Sequence, residues 1–482
     1  MSRLIRVAAL AASLAAVAGC SVAPLERAAE AIGERVVARV GSGPAWPPGA
    51  DEIEADPDFR EPFTLPSALT RAFMRNPDIR RQYARLGLAH ADLQDAARVA
   101  NPTLSFAWLS PGGGGRDQTT QGISASFADL LLLPARRRLS ASEFRRVQFA
   151  VGSALVALAQ EVETSWYEHV GALQIAAMRN AVAEAAGNEL ALAQRFHEAG
   201  NISRLQLDLL QAAAVRTRIE AQRSRSDVVG ARARLAGLLG LRAQAAWQTV
   251  EQLPEPPALA QASDDLVRRA LAERLDLAAV REEVAMLEDA LGVTGQWRLL
   301  GPVDVGYKHE RETDGSKIRG PTLNLELPLF NQGQGAVARA EARLLDARAR
   351  EQALALTVEN EVTAGVERLA LARDISERFR RELLPATASM VARQQERFNF
   401  MLVGPFELIG TRRDEYDAWQ GYFESVRDYW IARTALRAAV GGLLPGDEET
   451  RPLKIGTQEI VVPATEPVST TPDEHARHGE LP

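Results

Sequence analysis

Few residues in this chain could do covalent or metal chemistry, and their spacing argues against most of it. The single cysteine is Cys20, so no disulfide can close within one chain. The histidines are His90, His169, His197, His309, His475 and His478. None pairs with Cys or carboxylates at metal-ligand spacing within a folded segment. His475 and His478 fall in a polar, Pro- and Glu-bearing stretch that is expected to be disordered. The run Pro111-Gly112-Gly113-Gly114-Gly115-Arg116-Asp117 has the glycines of a phosphate-cradling loop, but lacks the Lys-Ser/Thr and the helix such a loop needs. Gly-x-Ser-x-Gly does not occur, so a hydrolase nucleophile elbow is absent. The expectation is a protein that is not an enzyme and carries no resident metal or cofactor.

Cys20 itself is well placed for one modification. Arg3 and Arg6 precede an apolar stretch, Val7 to Ala18, that has the length of a signal-peptide core and is short for a membrane span. It ends in Val17-Ala18-Gly19-Cys20, which resembles a bacterial lipobox. That resemblance implies cleavage before Cys20 and a covalent lipid on its thiol, with Ser21 favouring the outer membrane. The alternative is an ordinary signal peptide with an incidental cysteine. The formal net charge is -7, and of the 56 basic residues only Lys308, Lys317 and Lys454 are lysines, so nucleic acid is not an expected partner. Mean hydropathy is -0.16, and nothing after residue 20 is long and apolar enough to span as a helix.

The rest of the chain reads as one pattern written twice. Ala72 to Ile79 recurs loosely as Ala270 to Leu277, and Phe196 and Gly200 are matched with Phe398 and Gly404. Each half runs helix, alternating segment, polar Gly-containing loop, alternating segment, very long helix, break, helix. The alternating segments are Thr103 to Leu109, Gln121 to Ala128, Val303 to Lys308 and Thr322 to Leu327. Apolar residues hold one face, and Ser105, Ser124, Ser126, Asp304, Lys308, Asn324 and Glu326 fall on the other. A soluble half-buried sheet would show this pattern; so would a membrane β-barrel, apolar to lipid and polar to the lumen. Glu310 to Ser316 and the glycine run are expected as the hairpin ends. Four strands cannot close a bacterial barrel, which needs at least eight, so copies must pool them.

The long helices are expected from about Arg137 to Phe196 and Gly335 to Phe398, with returning helices at about Ser203 to Leu239 and Phe406 to Val440. Helices of some 60 residues span about 90 Å and read as antiparallel coiled-coil hairpins. Glu161, Glu163, Glu359, Glu361 and Glu367 lie along them, as a solvated face or as the lining of an aqueous channel. Residues 1–19 are assigned to the signal peptide, 20–65 to a lipidated linker, 66–262 to the first repeat, 263–445 to the second, and 446–482 to a disordered tail.

The residues now on the page resemble the TolC-like outer-membrane efflux proteins, in their lipoprotein branch. The features that carry this are the segment at Cys20 and the strand-to-helix passages Leu130 to Arg138 and Leu327 to Gly335. The breaks Ala199 to Ser203 and Leu402 to Phe406 carry it further. The resemblance spans residues 65 to 445. It implies a mainly α protein with a small membrane β part, and a homotrimer with a twelve-stranded barrel and a periplasmic helical barrel. It implies an exit duct fed by a periplasmic adaptor and an inner-membrane transporter, with docking at the tips Gly200, Val403 and Gly404. Relatives often place acidic residues just after the second tip; Gly410 to Arg413 are not acidic, and Asp414 and Glu415 fall off that spacing. The alternatives are the outer channel of a protein-secretion system and a non-conducting coiled-coil lipoprotein.

Overall fold

The computed structural model describes residues 23–44, 61–110, 112–113, 116–242, 244–250, 252–257 and 263–444. The signal segment, Cys20 and the tail after residue 446 lie outside the described residues. The helices are α1 (Leu25–Val40), α2 (Leu65–Arg75), α3 (Pro77–Ala96), α4 (Phe127–Glu198), α5 (Arg204–Leu238), α6 (Ser263–Glu273), α7 (Leu275–Trp297), α8 (Gln334–Arg378), α9 (Leu384–Asn399) and α10 (Pro405–Val440). The strands are β1 (Thr103–Leu109), β2 (Gln118–Ser126), β3 (Val303–Arg311) and β4 (Lys317–Leu325).

The duplication is visible in this order. The short helix pair α2–α3 returns as α6–α7, hairpin β1–β2 as β3–β4, and the long helical hairpin α4–α5 as α8–α9–α10. Helix α1 falls in the stretch read from sequence as a linker. Its Ala29, Ile32 and Val36 are fully buried, and it packs against α3 and α4.

Helix α4 is 72 residues long and so spans about 110 Å. It starts at Phe127, ten residues before the expected start, and runs through Pro134. Proline in a helix interior normally breaks the ladder. Here the first turns are braced by Ser126, whose hydroxyl accepts from the Asp129 N–H at 3.2 Å, and by Arg136, which donates to the Asp129 carbonyl at 2.8 Å. Its middle buries Val151, Leu155, Leu158, Val162, Trp166 and Val170, at the three-and-four spacing of one helix face.

The corresponding helix of the second half is interrupted. Residues Phe379–Leu383 form a single π turn between α8 and α9. Pro385 lacks an N–H, and its ring clashes with the carbonyl four residues back; the widened turn absorbs that conflict. Phe379 lies against Gly421, where a Cβ would sit 2.7 Å from the ring.

The main core lies midway along the helices. Tyr167 stacks on Trp430 with centroids 5.2 Å apart, and Trp166, Tyr422, Phe423 and Tyr429 are buried around them. Glu163 and Arg437 form a buried pair at 2.8 Å. Arg274 ties the second repeat together, donating to Asp276, to Glu361 at 2.7 Å and to the Ala439 carbonyl at 3.1 Å.

Candidate functional site

The four strands form one antiparallel sheet in the order β1-β2-β3-β4. Residues directly opposite each other in an antiparallel ladder share a face. One face therefore carries Leu104, Phe106, Trp108, Ile123, Ala125, Val303, Val305, Tyr307, Leu323 and Leu325. The other carries Ser105, Ser124, Ser126, Asp304, Lys308 and Asn324, together with Gly122, Gly306, Gly320 and Thr322. The sequence placed these six polar residues on one face, and the register brings them together there. Glu326 lies one residue past β4; its N–H still reaches the Pro302 carbonyl at 3.3 Å.

Among the described residues nothing covers the apolar face. Leu104 is 79% exposed, Leu323 67% and Leu325 55%. Exposed apolar residues continue past the strands through Leu327, Leu329 and Phe330, and through Phe127, Leu130 and Leu131 at the head of α4. On the polar face small residues crowd together. A Cβ on Gly306 would meet the Ile123 carbonyl at 2.7 Å and the Thr322 hydroxyl at 2.8 Å, so position 306 has no room for a side chain. Among the described residues β1 pairs only with β2 and β4 only with β3, which leaves two open edges.

The strands are longer toward the hairpin ends than the alternation indicated. Residues Gln118–Thr120 extend β2, His309–Arg311 extend β3, and Lys317–Pro321 extend β4. Glu310 and Arg311, expected in a loop, are ladder residues. The signal was lost because the apolar-face positions there are filled by Thr119, Gln121, His309, Arg311, Lys317 and Arg319. Toward the helices β2 and β4 stop at Ser126 and Leu325, two residues before the expected ends. On the polar face Lys308 pairs with Glu310 at 3.1 Å, and Gln118 hydrogen-bonds Glu310.

At the far end of the helices lie two turns. Gly200 is in the left-handed region at φ 77°, and the Gly200 and Asn201 N–H groups close on His197 and Phe196 carbonyls. In the second half the Met401 and Leu402 N–H groups close on Phe398 and Arg397 carbonyls, and Met401 takes the left-handed position at φ 57°. The equivalent of Gly200 is therefore Met401, three residues before the Gly404 that sequence matching chose. Gly404 is extended at φ -80° and precedes α10, the place Ser203 holds before α5. Val403 lies between Met401 and Gly404. Phe196 and Phe406 meet edge-to-face at 5.9 Å and join the tips. Phe400, Met401 and Leu402 are exposed at the second turn, Met401 to 93%. Sequence reading passed over these three; their signal was an apolar run at a position that must be a turn.

Above the second tip, Glu415 is buried and held by Arg412 at 2.7 Å, while Arg179 bridges Glu220 at 2.9 Å and Asp417 at 3.8 Å. Burial raises the Glu189 carboxyl above its usual range, with Arg413 opposing. Among the described residues no helix is long and apolar enough to cross a membrane, and no cluster of metal-ligating side chains occurs.

An exposed apolar sheet face at the head of a helical body about 110 Å long is the arrangement found in solved outer-membrane channels. The chain has the TolC-like channel fold. It is similar to the Campylobacter jejuni CmeC outer membrane channel, with a TM-score of 0.68 at 14% identity, covering 85% of this chain and 93% of that one. It is similar to a Pseudomonas aeruginosa membrane protein, with a TM-score of 0.66 at 17% identity over 82% and 99% of the two chains. It is also similar to the outer membrane protein VceC of Vibrio cholerae, at 0.64 and 15% over 78% and 96%. No family model matches the sequence, and no curated protein matches it. The channel fold accounts for the two-faced sheet, the duplicated helical hairpins and the turns at their ends.

Proposed function

We propose that this chain is the outer-membrane exit duct of a tripartite efflux system and conducts passively. The observation that carries the proposal is the sheet: an apolar outward face, a small and polar inward face, and two open edges. Open edges are not tolerated in hydrocarbon, where every backbone N–H and C=O must be paired. Pairing β4 of one copy with β1 of the next satisfies them, and three copies give twelve strands with an opening at the centre.

The helices support the same assembly. Leu205, Leu209, Val215 and Ile219 form an exposed apolar stripe on α5, and Leu356, Leu371 and Ile375 are exposed on α8. Apolar stripes on long helices call for neighbours, and further copies of the chain supply them. A tethering lipoprotein has no use for a lipid-facing sheet.

In this reading Cys20 carries the lipid anchor, and the tips meet a periplasmic adaptor linked to an inner-membrane transporter. Phe400, Met401 and Leu402 present the apolar surface that such docking needs, beside Val403 and Gly404, with Gly200 at the neighbouring turn. The duct supplies no reaction; small side chains and hydroxyls keep the barrel wall wet and unobstructed.

Cysteines at the two edges test the assembly. With Ala107→Cys on β1 and Gly320→Cys on β4, oxidised membranes should yield covalent trimers on non-reducing gels, and purified trimers should conduct ions in planar bilayers. Monomers with unreacted edges, or trimers without conductance, would refute the duct.

A further inference from the structure

The outward face of the sheet is not apolar throughout. Toward the hairpin ends the ladder places Arg311 directly opposite Lys317, and His309 directly opposite Arg319. All four lie on the same face as Val305, Tyr307, Leu323 and Leu325. Arg311, Lys317 and Arg319 are exposed. Like charges directly opposite on a ladder destabilise it. Lys308 on the inward face is paired with Glu310. By contrast, among the described residues no carboxylate pairs with Arg311, Lys317 or Arg319. No outward position of any of the four strands is acidic. Glu310, between His309 and Arg311 in the chain, faces inward and is held by Lys308, and in the turn Asp314 accepts from the Ser316 N–H at 2.8 Å.

We propose that this basic end is a docking surface for the phosphorylated headgroups of outer-leaflet lipid; the proposal rests on the outer-membrane reading above. Height supports it. The exposed apolar band runs from Leu329, past the end of β4, up to Pro321 on that strand, and the cations begin at Arg319. From Leu325 to Arg319 is six residues, about 20 Å of strand, or about 15 Å along the membrane normal at a tilt near 40°. That is half of a hydrocarbon core of about 30 Å, so the cations stand at headgroup level when Leu325 stands at the midplane. Two aromatic residues share these ladder rows. Phe106 falls on the ladder row of His309 and Arg319, and Trp108 on that of Arg311 and Lys317. Tryptophan is favoured at the membrane–water boundary. The cations' counter-charge is therefore the lipid phosphate, and docking relieves the repulsion between Arg311 and Lys317.

The test uses the full-length protein, folded in detergent, with bisphosphorylated lipid A as the probe and native mass spectrometry as the readout. The wild type should retain lipid A. The variant with Arg311→Gln, Lys317→Gln and Arg319→Gln should bind it on the order of 100-fold more weakly. Lys308→Gln, which removes one charge from the inward face as Lys317→Gln does from the outward face, should bind like wild type. Lys317→Gln alone should fall between, which keeps the test sharp if the triple variant assembles poorly. Equal affinity in wild type and variants, or no preference for lipid A over its dephosphorylated form, would overturn the docking surface. Flotation with phosphatidylcholine vesicles separates the two readings. A chain that floats but ignores the phosphates refutes only the headgroup surface. A chain that floats with no vesicle refutes the membrane reading, and the proposal with it.

Discussion

Substituting Leu325→Arg and Asn324→Arg separates a membrane barrel from a soluble half-buried sheet. The two residues are neighbours on β4 but occupy opposite faces, since Leu325 lies opposite Val303 and Asn324 opposite Asp304. With the basic rows at headgroup level as proposed above, Leu325 stands at about the bilayer midplane. An arginine there costs about 2–4 kcal/mol, falling to about 0–1 near either interface. Each copy bears the penalty, so a trimer loses about 6–12 kcal/mol. In the proposed barrel the same side chain at 324 faces the water-filled interior, opposite Asp304, and should cost little. In a soluble sheet half-exposed to water both substitutions would be mild, because Leu325 is already 55% exposed.

The assay is denaturant unfolding of vesicle-inserted protein, read alongside the fraction of heat-resistant trimer on gels. Leu325→Arg should shift the midpoint strongly or abolish the trimer, and Asn324→Arg should stay close to wild type. Equal effects would refute the assignment of faces. A mild effect of Leu325→Arg in properly inserted protein would refute the depth.

Cys20→Ala should leave an unacylated precursor or a soluble periplasmic form; undiminished labelling of that variant with a fatty-acid probe would refute lipidation. Gly404→Ala should be silent, since a Cβ there meets nothing within 4 Å, whereas Gly404→Glu should leave the trimer intact and abolish cross-linking to the adaptor. Met401→Gly should raise stability by about 1 kcal/mol by relieving a left-handed non-glycine residue, read as an upward shift in the unfolding midpoint. His169 is buried beside Trp247 and near Arg232, and its pKa is pushed down to about 4, mainly by burial. Between about pH 6.5 and 4 the unfolded chain takes up a proton that the folded chain refuses, so stability should fall by at most about 3 kcal/mol as pH drops through that window. His169→Phe should flatten that slope, and an unchanged pH dependence would sink the assignment.

The parts of this fold that were legible in the sequence are those where one physical demand acts alone. Leu104, Phe106 and Trp108 alternate with Thr103, Ser105 and Ala107, and β1 has the expected bounds. The ends of β2, β3 and β4 nearest the hairpins were hidden because a second demand enters. Above the apolar band the outward face turns polar, and Arg311 and Arg319 stand where the alternation would put apolar residues without ending the ladder. The head of α4 is a similar case. Proline disfavours a helix interior, yet α4 runs from Phe127 through Pro134 without a break. The π turn at Phe379–Leu383 could not be read from one proline, since Pro385 is equally consistent with a kink or a helix start.

Sequence matching failed most instructively at the tips. It sought glycine for glycine and paired Gly200 with Gly404. The backbone pairs positions instead, and the two copies have traded side chains between them. In the first half Gly200 takes the left-handed residue at no steric cost, and the Ser203 hydroxyl accepts from the Gln206 N–H while Gln206 answers the Ser203 N–H. In the second half Met401 takes the strained position, and Gly404 offers α10 no side-chain cap. A non-glycine left-handed residue costs about 1–2 kcal/mol, and replacing a serine cap by glycine a few tenths more. The second turn is thus the less stable of two turns with the same hydrogen-bond pattern. It is also the one that exposes Phe400, Met401 and Leu402. Strain that persists at an exposed turn needs a use, and a partner that covers these three side chains would recover in apolar burial what the backbone gives up.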